Sequence, residues 1–217
     1  WRTGVIGNSN RIYGPNAEAF GHSGLGGSVG FGDPVFGAEQ AATERRAKRK
    51  KLAAKDTRTR TRSYGEYWKG AEIDRSKLAL TQLPDTADEL RAIAKRLGVP
   101  DSDIHLGSDA SETTVKRLTL ADYRIVYFAT HGLVAGDIKG DGEPSLALTL
   151  PAQASELDDG LLTASEVAQL KLNADWVVLS ACNTIAGDKP GAEALSGLSR
   201  AFFFAGARAL LVSHWAV

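Results

Sequence analysis

Two side chains in the sequence suit nucleophilic catalysis, and both lie where such chemistry gathers. Cys182, the single cysteine, follows the apolar run Trp176 to Ala181, and His131 follows the run Arg124 to Thr130, 51 residues earlier. A cysteine attacks a carbonyl as its thiolate, and a nearby imidazole can take the thiol proton and return it to a leaving amine. Gly132, directly after His131, removes a side chain where substrate must approach. Its N–H, together with that of Cys182, predicts an oxyanion hole. Taken singly, the cysteine reads more readily as a small core hydrophobe and the histidine as a satisfied loop residue. The coincidence of both at strand ends, with a glycine in place, favours the chemical reading.

These residues need strands to carry them. Arg124 to Thr130 and Trp176 to Ala181 have strand length and are apolar on both faces, as expected of strands buried between helical layers. In open parallel α/β sheets, function collects beyond the carboxyl ends of the strands. If the two runs are parallel neighbours, His131 and Cys182 emerge at one edge. Upstream, Val29 to Phe31 predicts a strand ending in the turn Gly32, Asp33, Pro34. Thr86 and Glu89 have capping-box spacing before Leu90, Ile93, Ala94 and Leu97, and Gly98 closes that helix. Ile104 to Leu106 reads as a short strand, and Ser111 as the cap of a helix with Val115, Leu118 and Leu120 inward. Ser165 to Leu172 predicts a short helix. Ala192 to Ala205 predicts a longer one ending at Gly206, followed by a buried strand from Ala209 to Val212. This alternation predicts an α/β fold with a largely parallel sheet and right-handed crossovers.

Composition bounds the rest. The 217 residues are 43% hydrophobic and 24% charged, globular values that support a self-sufficient core. No apolar run approaches the ~18 residues of a membrane span, and a cytoplasmic location is expected. One cysteine excludes an internal disulfide and leaves a cysteine zinc cage unsupported. The chain begins at Trp1 and contains no Met, so a piece of a longer protein is expected. Its net charge of zero is uneven: ten basic residues and one acid lie between Arg45 and Arg62, against 16 basic and 25 acidic elsewhere. Residues 40–62 read as a basic insertion, solvated and without the interleaved aromatics of a nucleic-acid site, so nucleic acid is not an expected partner. Neither G-x-G-x-x-G nor a phosphate-binding G-x-x-x-x-G-K-[S/T] occurs, and no cofactor is expected. Asp137, Asp141 and Gly142 echo a calcium loop, but Lys139 takes a ligand position, so no metal site is assigned. Asp188 and Glu193 are candidates for recognising a basic substrate side chain or for binding nearby backbone N–H groups, and His214 and Trp215 for walling the substrate pocket or, equally, for packing.

The stretches VYFATHG (126–132), DGLLTASEVAQLKL (159–172), VVLSACNT (177–184) and GAEALSGLSRAFFFAGARALLVSHW (191–215) resemble a CHAT domain. The opening VGFGDPVF (29–36) and LPDTADEL (83–90) fit as well, so the likeness covers about residues 29–217. The resemblance implies a three-layer α/β/α caspase-like fold and a bacterial cysteine endopeptidase. In it Cys182 is the nucleophile, His131 the general acid/base and Gly132 an oxyanion donor, acting on a protein or peptide substrate. The His-to-Cys spacing agrees with the ~50 residues of caspases. The family usually continues past the strand equivalent to 209–215 and sits behind helical TPR repeats. The domain is therefore expected to be C-terminally incomplete and its parent to carry a helical-repeat regulatory region. A catalytically idle interaction module is the rival expectation. Residues 1–28 form a separate Gly-rich segment. YGPNAEAFGHSGLGGS (13–28), with His22, Ser23 and Gly24, is similar to a stretch of serine β-lactamase-like hydrolases. That chemistry needs a Ser-x-x-Lys that this chain lacks, so a fusion scar or chance likeness is expected.

Overall fold

A computed structural model describes residues 2–7, 27–37, 80–135, 142–151, 154–155, 157–182 and 196–214. The elements in chain order are β1 (Arg2–Gly7), β2 (Ser28–Gly32), α1 (Pro84–Leu97), β3 (Ile104–Leu106), α2 (Glu112–Arg117) and β4 (Ile125–Leu133). There follow β5 (Ser145–Ala147), β6 (Leu161–Thr163), α3 (Ala164–Val167), β7 (Trp176–Cys182), α4 (Ser196–Ala205) and β8 (Ala209–His214). The fold is α/β, built on a mixed eight-stranded sheet with the order β1-β8-β7-β4-β2-β3 and β5 and β6 branching from β4. Pairings β2–β3, β2–β4, β4–β7 and β7–β8 are parallel. Pairings β1–β8, β4–β5 and β5–β6 are antiparallel, which the expectation of a largely parallel sheet did not include.

The apolar runs take the central places. Val126, Phe128, Val177, Leu179 and Leu210 are fully buried, as strands covered on both faces require. Phe31 stacks on Phe128 at 5.2 Å, and Phe128 meets Phe202 of α4 at 5.7 Å, so α4 covers that face. Gly30 and Gly32 point the opposite way and lie under Leu90 of α1. A Cβ on Gly32 would come within 2.6 Å of Leu90 Cδ1, and one on Gly30 within 2.9 Å of Cδ2. The two glycines let α1 sink onto β2. Gly206 ends α4 at a φ of 118°, where a side chain would collide with the Leu172 carbonyl.

Several local expectations change. Pro84 occupies the first position of α1, with Leu83 as its cap and no side-chain capping bond. Thr86 is therefore inside the first turn: its hydroxyl donates to Leu83 O at 2.7 Å and accepts from Asp33 N at 2.8 Å. The capping box stands instead at Thr163 and Glu166, before α3. β4 runs on to Leu133, so His131 and Gly132 lie within the strand and not after it. The backbone of residues 2–7 forms an edge strand on β8, although the Gly-rich N-terminal segment has no sustained period. Residues 40–62, His22 to Gly24, Asp137 and Asp141 lie outside the described residues.

Two polar clusters brace the frame. Near the amino ends of β4 and β7, Asp175 accepts from Arg124 Nε at 2.6 Å and from Arg208 Nη1 at 2.8 Å, and Arg208 also donates to Asn173. Beneath the β5–β6 hairpin, Glu112 is 1% exposed and accepts from Lys116 at 2.5 Å and from the Asp159 and Gly160 N–H groups. Lys116 also donates to Glu166 and to Leu157 O. Burial pushes the Glu112 carboxyl up to about 7, against the opposing pull of Lys116 and the Asp159 N–H.

Candidate active site

β4 and β7 pair in parallel from Ile125 opposite Trp176 to His131 opposite Cys182. The two residues singled out by type are thus one register pair, the last rung of this ladder, at the carboxyl ends of two central strands. At the next residue β4 also pairs with the antiparallel β5, Gly132 with Leu146 and Leu133 with Ser145. The Thr130 hydroxyl donates to the Ala147 carbonyl, adding a side-chain tie between β4 and β5. The sequence explains why the chain does not turn at Gly132. Leu133 is fully buried with Ala147 and Leu161, so continuing the strand covers an apolar side chain that a turn would expose.

His131 is 3% exposed. Its Nε2 lies 2.7 Å from the Thr81 carbonyl oxygen. A carbonyl only accepts, so Nε2 carries the proton and, in the neutral ring, Nδ1 carries the lone pair. The Phe36 ring packs against the imidazole at 5.5 Å and 55°. Phe36 and Leu80 join the small core of Leu133, Ala147 and Leu161 beside it. This burial holds the His131 pKa below its ordinary 6.5, with the Thr81 carbonyl pulling the other way. The imidazole is therefore neutral at pH 7, the state a general base requires.

The acceptor Thr81 belongs to the segment leading into α1, and that segment is anchored at both sides. Thr86 bridges Leu83 O and Asp33 N, tying the start of the helix to the end of β2. Asp33 has a φ of 51°, a left-handed conformation that turns the chain sharply as it leaves the sheet. Val35 N donates to Thr149 Oγ1 at 2.9 Å, and that hydroxyl donates to Gly107 O, fixing the chain that carries Phe36. Neither Thr81 nor Phe36 carried a signal in the sequence. A backbone carbonyl has no residue-type signature, and one phenylalanine after a turn resembles any other.

The remaining candidates divide. Gly132 is buried beside His131. His214 is the final residue of β8, paired through its backbone with Arg2, and β8 runs parallel to β7, so it reaches the same edge. Asp188, Glu193 and Trp215 lie outside the described residues. Among the described residues no group of three or more His, Cys, Asp or Glu side chains is arranged to hold a metal ion. No helix among them is long and apolar enough to cross a membrane.

The family model described as the CHAT domain matches residues 23–217, nearly all of the chain and every element from β2 onward. No protein with a curated description matches. The match takes in both strands of the His131–Cys182 pair and the helix that approaches them, and the chain belongs to the CHAT domain family, which is related to the caspase-like cysteine peptidases.

Proposed function

We propose that this domain is a cysteine endopeptidase that cleaves peptide bonds through Cys182 and His131. The observation that carries this reading is the register pairing of these two residues at the carboxyl ends of β4 and β7, with the imidazole tautomer set by Thr81. The Cys182 thiol gives its proton to Nδ1 of His131, and the thiolate attacks the scissile carbonyl carbon. The Gly132 and Cys182 N–H groups stabilise the oxyanion that forms. Collapse breaks the C–N bond, and the amine leaves with the proton from Nδ1, while Nε2–H stays on the Thr81 carbonyl. A water molecule then gives its proton to Nδ1 and attacks the thioester, releasing the acid and restoring the thiol.

The finer architecture belongs to the same reading. α1 over the Gly30–Gly32 face and α4 over the Phe128 face support a three-layer caspase-like arrangement around the mixed sheet. The substrate is a protein or peptide, met in the cytoplasm of a bacterial cell, and the parent carries TPR repeats as a regulatory region. Asp188 and Glu193 contact a basic substrate side chain, and His214 and Trp215 wall the pocket.

The test is labelling of the full-length parent by a thiol-reactive peptide probe, combined with cleavage of a degenerate peptide library. Cys182→Ala abolishes both and leaves the fold intact, and His131→Ala strongly slows labelling. Cleavage retained by Cys182→Ala would refute the nucleophile. Equal labelling with and without His131 would identify a catalytically idle interaction module instead.

A further inference from the structure

Below the His131–Cys182 rung, one carboxylate joins the covering helix to both central strands. Glu89, in the second turn of α1, accepts from the Tyr127 hydroxyl at 2.5 Å and from the Ser180 hydroxyl at 3.4 and 3.5 Å. Tyr127 stands on β4 four residues before His131, and Ser180 on β7 two residues before Cys182. The two-residue strand period puts both hydroxyls on the face that carries the paired His131 and Cys182 positions. Ser180 is buried and Tyr127 half-buried. Burial, then the Glu89 hydrogen bond, raises the Tyr127 pKa well above the ordinary phenol value.

Cohesion alone does not call for this arrangement. Leu90 already seats α1 on Gly30 and Gly32, and polar groups taken from water gain little unless their partners are well placed. The site does have a mechanical need at this point. His131 and Cys182 form the last described rung of their ladder, at the carboxyl ends of both strands, where the spacing of β4 and β7 sets the distance between the two residues. We propose that Glu89 is a positioning residue for the Cys182–His131 dyad: by accepting from one hydroxyl on each strand, it fixes the spacing of β4 and β7 and the height of α1 above them. Thr81 lies in the segment that leads into the same helix, so Glu89 also bears on the carbonyl that orients the imidazole. This inference rests on the dyad proposed above.

The single cysteine makes the test site-specific, because alkylation by iodoacetamide reports Cys182 alone. The rate is measured against pH on the intact chain for wild type, His131→Ala, Glu89→Ala, Glu89→Gln and Tyr127→Phe, with circular dichroism to check folding. Wild type reacts faster than His131→Ala at pH 7. Glu89→Ala slows the reaction by about 10- to 100-fold, the scale of an ångström-sized misplacement. It also moves the midpoint of the pH profile toward the ordinary thiol value of about 8.5. Glu89→Gln, which keeps an acceptor oxygen, retains most of the rate, and Tyr127→Phe reproduces part of the loss with less risk to folding. A wild-type rate and midpoint in folded Glu89→Ala or in Tyr127→Phe, with His131→Ala still slow, overturns the positioning role and leaves the dyad standing. Equal rates for wild type and His131→Ala overturn the dyad, and the positioning role with it.

Discussion

Gly32→Ala adds one carbon where β2 passes beneath α1. The new Cβ would lie 2.6 Å from Leu90 Cδ1, 3.3 Å from Thr86 Oγ1 and 3.4 Å from Ala129 O. Carbon pairs rest at about 3.5–4.0 Å, so the leucine contact falls short by roughly 1 Å. Leu90 is 1% exposed and its other methyl lies over Gly30, so it has little room to rotate away. The strain passes to the amino-terminal half of α1 and costs about 1–3 kcal/mol, as overpacked cores do. For a chain of this size that lowers Tm by about 2–12 °C. Thr86 and Leu83 sit in this part of the helix and Thr81 just before it, so the carbonyl that orients His131 moves as well. A displacement near 1 Å predicts a loss of about 100-fold in Cys182 reactivity. The assay pairs thermal melting with probe labelling for Gly32→Ala and for Gly32→Ala combined with Leu90→Ala, which deletes the colliding methyl. The expected result is slow labelling in the single variant and faster labelling in the double variant, despite the cavity the latter creates. A single variant that loses stability yet labels at the wild-type rate would show that Leu90 yields locally and that the seat of α1 does not govern the histidine.

Other perturbations test other parts of the frame. Because burial lowers the His131 pKa, the acid limb of kcat/KM lies below pH 6.5, and a limb at or above 6.5 contradicts the assigned environment. The same shift has a sign for stability: the unfolded chain binds the His131 proton near 6.5 and the folded chain only at lower pH. Its contribution is therefore present above 6.5 and lost as pH falls through the folded value, and denaturant titration of wild type against His131→Ala isolates it. Glu112→Ala removes an acceptor of the Asp159 and Gly160 N–H groups, leaving Gly160 N–H with Asp158 Oδ1 and Lys116 with Glu166 and Leu157 O. A loss of about 3 kcal/mol in urea unfolding is expected, with Glu112→Gln milder. Phe128→Ala empties the middle of the Phe31–Phe128–Phe202 stack and costs about 3–5 kcal/mol by the same measurement.

The pairing of His131 with Cys182 was legible because two long apolar runs admit few places in an α/β sheet, and reactive residues at their ends share whatever edge the strands share. What the sequence concealed was set by long-range partners. The strand ending at Thr130 by pattern continues through His131 because β5 supplies a second ladder. β5 and β6 are three residues each, too short for any period to register. Thr86 and Glu89 have the spacing of a capping box, but Pro84 starts the helix two residues earlier and both side chains are committed elsewhere, to Asp33 and to Tyr127 and Ser180. β1 acquires its conformation from the open edge of β8, which no local propensity of a Gly-rich segment reveals. The orienting acceptor, a main-chain oxygen of Thr81, is invisible to any reading of residue types.

The Arg124–Asp175–Arg208 cluster lies at the far end of the same strands that bear His131 and Cys182. The molecule thereby divides labour along its strands: a stapled floor holds the architecture at one end, and the opposite rim carries the His131–Cys182 pair. Changes of rim sequence leave the floor untouched, so under the proposed activity selectivity is retuned without refounding the fold. Directed variation is therefore best confined to the rim, with Arg124, Asp175 and Arg208 kept constant.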